Sequence, residues 1–143
     1  ILQALGEQWL NEIDGALQEL ESFRVESLSL KRFVDMSLER IFNAYTAQQG
    51  LLPLVKAMYG VPQLKELNGS YNEMIVSAMA RMFERLEVAE RPAELARLGR
   101  AAHEISHTML LLVVDQGKAD SLKTLNDLKY LTLCLLERAK SQF

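Results

Sequence analysis

The one short pattern in this chain with the residue types of a catalytic centre is His103-Glu104-Ile105-Ser106-His107. Two histidines at this spacing lie one helical turn apart and can reach a single Zn²⁺. The glutamate beside them can act as general base on the metal's water. Such a site needs a third protein ligand, and the chain has 2 His in all. A carboxylate would have to serve, and the next ones downstream are Asp115, Asp120 and Asp127, near or past a turn. Peptidases of this kind also bind substrate along an edge strand, and no strand pattern appears here. Glu104 stands four residues after Arg100, the spacing of a surface ion pair on a helix. The reading preferred is therefore two neutral imidazoles in a packed or ligand-facing polar position. Metal binding at His103 and His107, and with it a small helical zinc metalloenzyme using His103-Glu104-x-x-His107, is the alternative.

No other spacing specifies chemistry. Cys134 is the single cysteine and has no histidine near it in sequence. The 7 glycines are scattered and form no phosphate-cradling loop, and no acidic repeat suggests Ca²⁺. The chain is read as a non-enzyme with no cofactor.

The helix that carries the two histidines must position them. It spans residues 92–116, opening at Pro92 and stopping before Gly117. It is apolar on two sides. One stripe is Leu95, Leu98, Ala102, Ile105, Met109 and Val113; roughly opposite lie Ala96, Gly99, His103, His107, Leu110 and Val114. A surface helix has one apolar face, so two faces imply two coverings: an internal core or pocket on one side and a second molecule on the other.

The remaining elements are also helical. Residues 1–21 place Leu2, Leu5, Trp9, Ile13, Leu17 and Leu20 on one face. Ser27 or Ser29 caps the next helix, which runs to about Gln49 with the stripe Leu30, Phe33, Val34, Ile41, Ala44 and Tyr45. Ser37 sits within that stripe and either bonds back to its own backbone or faces a ligand. Residues 51–59 form a short apolar helix ending at Gly60. Residues 62–87 read as one helix kinked at Asn68-Gly69, where Ser70-x-x-Glu73 has the form of a capping box. Its stripe of Tyr71, Ile75, Met79 and Met82 suits a core or an adaptable apolar pocket. After a tight turn, Asp120 caps a last helix over 121–141 with Leu122, Leu125, Leu128, Leu131, Leu135 and Leu136 on a broad apolar face. The fold class expected is all-α, a six-helix single domain over residues 1–143.

Composition agrees. With 143 residues, 49% hydrophobic and 24% charged, one ordinary core is expected. The net charge of -3, without a basic cluster, argues against nucleic-acid binding by this chain alone. The longest apolar run, Met109 to Val114, is far short of the ~20 residues that cross a bilayer. No signal peptide is visible, and a lone cysteine suits a reducing compartment. A cytoplasmic location and no membrane partner are expected. The chain opens at Ile1, with no Met and no capping residue ahead of an amphipathic helix. That is the expected look of a segment whose upstream part is missing.

The order ILQALGEQWL, long helix, GLLPLVKAMYG, VPQLKELNGSYNEMI, long apolar-rich helix and leucine-rich closing helix resembles the C-terminal regulatory domain of TetR-type bacterial transcriptional regulators. The resemblance covers essentially the whole chain in architecture; the N-terminal helix-turn-helix of the family is absent. It implies a homodimer in which the last two helices of each subunit form a four-helix bundle, with Leu110, Val114, Leu125, Leu128, Leu131 and Leu135 at the interface. It implies an effector pocket walled by Phe33, Ser37, Ile41, Met58, Tyr71, Ile75, Met79, Met82, Ile105 and Met109. The effector would be a small, mostly apolar molecule whose binding releases operator DNA. Contact with that DNA would pass only through the absent N-terminal domain. A plain helical adaptor for partner helices is a further reading.

Overall fold

The computed structural model describes residues 1–142, and for residue 59 the backbone alone, so Phe143 of the expected domain lies outside the described residues. Among them are six α-helices and no strand. They are α1 (Leu2–Ser22), α2 (Leu30–Ala47), α3 (Leu52–Ala57), α4 (Pro62–Arg85), α5 (Pro92–Asp115) and α6 (Lys118–Ser141), with single 3-10 turns at Val25–Ser27, Gln49–Leu51 and Met58–Gly60. The helix α5 lies between α4 and α6; α1 packs on α4 and α2, and α2 closes back on α6. One continuous apolar cluster runs through all of them, from Trp9 and Ile13 through Phe33, Met79 and Phe83 to Leu98, Leu128 and Leu136. Each such side chain, fully buried, stabilises the fold by about 1.5–3 kcal/mol before the ordering entropy is subtracted.

Ser29 caps α2, its hydroxyl accepting from the Arg32 N–H at 3.1 Å. Pro53, Pro62 and Pro92 all fall in first turns, where a missing N–H leaves no hydrogen bond unmade.

Three expectations about helix ends are corrected. The helix α4 runs unbroken through Asn68-Gly69, so Ser70 lies in mid-helix and forms no capping box. The reason is tertiary: Leu64, fully buried, and Leu67 pack against α1 at Gly6, anchoring the turn before the weak dipeptide. The helix α6 starts at Lys118 with Gly117 as its cap residue, so Asp120 falls in the first turn. There its charge complements the helix dipole and caps nothing. And α3 ends at Ala57, with the 3-10 turn Met58–Gly60 following it.

The two-faced α5 is also resolved differently from expectation. Its second face is covered within the chain by α4. A Cβ on Gly99 would stand 2.8 Å from the Val76 carbonyl oxygen, so the two backbones touch there. The Gly99–His103–Leu110 side of α5 is buried against its own chain. What α5 and α6 leave open is a narrower strip, including Leu112 at 51% and Leu131 at 46% exposure.

Candidate functional site

The helix α5 turns His103 and His107 into the interior between α1, α2 and α4. Their rings lie 5.9 Å apart, centre to centre. His103 is held by Asn72 of α4: its Nε2–H donates to the Asn72 side-chain oxygen at 3.0 Å. His107 is held by Tyr45 of α2, whose hydroxyl is hydrogen-bonded to its Nδ1 at 2.6 Å. Tyr45 in turn meets Trp9 of α1 edge to face at 4.8 Å. Burial pushes the His103 imidazole down to about 4, with His107 and Arg100 adding repulsion. His107 is lowered by burial as well, partly offset by Glu104. Both rings are therefore neutral near pH 7, each with one nitrogen committed to a neighbour.

These groups line a small cavity of about 20 Å³, together with Tyr71, Asn68, Ile13, Met58 and Ile75. The Tyr71 hydroxyl accepts from the Asp14 N–H at 3.1 Å, and burial pushes its phenol up to about 12. The site is thus a polar cluster walled by apolar side chains, the composition of a small-molecule pocket. In this form it has room for one water at most.

A second cavity of about 20 Å³ lies among α1, α2, α4, α5 and α6. Phe33, Ser37, Ile41, Met79 and Met82 line it, with Ser106 of α5 and Thr132 of α6. Ser37 donates to the Val34 carbonyl at 3.2 Å, the back-bonded state that a mid-helix serine can adopt.

The ten pocket residues expected from sequence therefore divide. Five line the second cavity; Met58, Tyr71 and Ile75 line the first. Ile105 and Met109 line neither. They are half-buried on the strip of α5 that continues to Leu112. Of the expected interface residues, Leu110, Leu125 and Leu128 are buried inside the single chain. Val114 and Leu135 are half-buried and Leu131 is exposed. A leucine already 0–3% exposed in one chain has no surface left to offer a partner.

Glu104 is exposed at the helix surface. Among the described residues no group of three or more His, Cys, Asp or Glu is placed to hold a metal ion. Tyr45, Asn72, Trp9, Ser106 and Thr132 are site residues that sequence reading missed. Tyr45 and Thr132 sit in stripes that read as core, and Asn72 carries no periodic signal at all.

No helix of the described residues is long and apolar enough to cross a membrane. Residues 29–136 match the family model described as Tetracyclin repressor-like, C-terminal domain. No curated protein and no solved structure matches the chain.

Proposed function

We propose, from the premise that this chain belongs to the tetracyclin repressor-like C-terminal domain family, that residues 1–143 are the effector-binding and dimerisation unit of a bacterial, cytoplasmic transcriptional repressor. The observation that carries the reading is the enclosed Tyr45–His107 and Asn72–His103 cluster between α1, α2, α4 and α5. A globular core gains little from gathering six polar side chains, Tyr45, Asn68, Tyr71, Asn72, His103 and His107, among apolar walls, whereas a ligand site requires such handles.

A small, mostly apolar effector enters among these helices and spreads α1 from α4 and α5. In the family reading α1 leads to the DNA-binding part, so its displacement re-spaces two heads in a homodimer and releases operator DNA. The effector must bind the released state better than the DNA-bound state, by about 1.4 kcal/mol for each tenfold shift. The dimer forms through the open strip of α5 and α6: Ile105, Met109 and Leu112 on one helix, Leu131 and Leu135 on the other. Two copies build a four-helix bundle with two-fold symmetry.

Native mass spectrometry of the purified chain tests both halves. A dimer that carries a small molecule supports the reading, and Leu131→Glu is expected to convert it to monomer by placing a charge in the bundle. A monomer in the unmodified protein, without any bound small molecule, overturns it.

A further inference from the structure

The hydroxyls of Ser106 and Thr132 have no hydrogen-bond partner. Both residues are more than nine-tenths buried, at 4% and 7% exposure, and both line the second cavity. A buried hydroxyl without a partner destabilises a fold, and a helical serine or threonine has an easy remedy in the carbonyl one turn earlier. Ser37, in the same cavity, takes that remedy. Ser106 and Thr132 do not, and they bring α5 and α6 to the same cavity.

The two cavities are also in line. Going from the first to the second moves one turn along three helices at once: Ile13 to Leu17 on α1, Tyr45 to Ile41 on α2, Ile75 to Met79 on α4. One turn is about 5.4 Å. Ile75 lines the first cavity and Ile41 and Met79 the second, and Met79 is unbranched and readily changes rotamer. Neither cavity is lined by a Lys, Arg, Asp or Glu, so nothing there would neutralise a charged guest.

We propose that the two cavities are the ends of one site, closed in the free protein, whose ligand is an uncharged, elongated, apolar molecule bearing an oxygen at each end, one held by the His107–Tyr71 end and the other by Ser106 and Thr132. This rests on the effector-binding reading and names the ligand class for it. His107 has its Nε2 left for the first oxygen, since Nδ1 is engaged by Tyr45. The second oxygen satisfies two hydroxyls at once and bridges α5 to α6. Of the two cavities only this one touches α6. Contact at Thr132 is how occupancy reaches the dimer helices, and a molecule too short to reach it fills the first cavity alone.

The test is calorimetric titration of the dimer with three probes: 4,4′-dihydroxybiphenyl, 4-hydroxybiphenyl and 4′-hydroxybiphenyl-4-carboxylate. The diol is expected to bind best and the carboxylate at least tenfold worse. Thr132→Val and Ser106→Ala should each weaken the diol by about threefold to tenfold, the weight of one neutral hydrogen bond. They should leave the mono-ol unchanged, and the melting temperature of the free protein unchanged or higher. Equal effects on diol and mono-ol, or no effect on either, overturn the proposal while leaving the effector-binding reading in place. A lowered melting temperature in both variants also overturns it, because the hydroxyls would then be structural. Absence of binding by all three probes overturns the ligand class. The broader reading falls with it only if native mass spectrometry also finds no small molecule on the dimer.

Discussion

Tyr45 and His107, 62 residues apart in sequence, are joined by a 2.6 Å hydrogen bond between the phenol oxygen and Nδ1 of the imidazole. The bond fixes which nitrogen His107 can offer to a guest. It also ties α2 to α5 at the wall of the first cavity, where Trp9 meets the Tyr45 ring edge to face.

Tyr45→Phe should keep the ring packing and leave Nδ1 buried without its partner. The expected loss is about 1–3 kcal/mol of stability, the penalty of an unsatisfied buried polar atom. Chemical denaturation measures it. A change under about 0.3 kcal/mol would mean the bond contributes nothing net.

Stability should fall with acid in a defined window. The His103 imidazole titrates near 6.5 when unfolded and near 4 when folded, lowered by burial first. Between those values the unfolded chain binds a proton that the fold does not, so stability rises with pH there. It is fully present above 6.5, declines as pH falls, and levels off below about 4. His107, shifted in the same direction, adds to the slope. The groups that act on the pair are Arg100, Glu104 and the two rings themselves. Thermal melts from pH 8 to pH 4 should show the decline, and His103→Gln should flatten it. An unchanged slope in that variant would assign the acid sensitivity elsewhere.

Gly99→Ala should be costly despite lying in a helix, where alanine is ordinarily better than glycine by about 1 kcal/mol. The new methyl would stand 2.8 Å from the Val76 carbonyl oxygen and 3.4 Å from the Ala80 nitrogen, both backbone atoms that cannot rotate away. A net loss of about 1–3 kcal/mol is expected from forced separation of α4 and α5. A stabilised variant would show that the helices slide freely. Gly15, whose added Cβ would meet nothing within 4 Å, is the control: there Gly15→Ala should stabilise.

Glu87 ends α4 in the left-handed region, at φ 56°. The Val88 N–H donates to the Phe83 carbonyl at 3.0 Å and the Glu87 N–H to that of Glu84 at 2.9 Å, the paired bonds of a Schellman motif. Glycine takes that conformation without a Cβ penalty. Glu87→Gly should therefore raise stability by up to about 1 kcal/mol, read as a higher melting temperature. A decrease would mean the glutamate side chain contributes more than its backbone strain removes.

How far the sequence reached follows from what each signal depends on. The apolar stripes of Leu95–Val113 and Leu122–Leu136 fixed long helices because a 3.6-residue period has one structural meaning over that length. The cap of α2 was legible to within two serines, Ser27 or Ser29, because the cap bond is local, and the structure selects Ser29. The single helix expected over 62–87 is found as α4, but the Ser70-x-x-Glu73 capping box expected within it does not form, for the converse reason. Local propensity favours an interruption by about 1 kcal/mol, and the packing of Leu64 on α1 outweighs it.

By itself, then, the sequence determined an all-helical chain, its punctuation by proline and glycine, its lack of a spanning segment, and its family likeness. Each of these is carried by neighbours within a turn or two. Only the tertiary structure decided what α5 does with its two apolar faces. Gly99 lets α4 come within backbone contact, so the second face is consumed internally and the open strip shifts to Ile105, Met109 and Leu112. Likewise His103 and His107 read as a metal pattern in one dimension. Asn72 and Tyr45, arriving from other helices, make them neutral hydrogen-bonding groups of an enclosed pocket. Partners 31 and 62 residues away leave no mark in local periodicity, because helix packing alone sets which side chains meet.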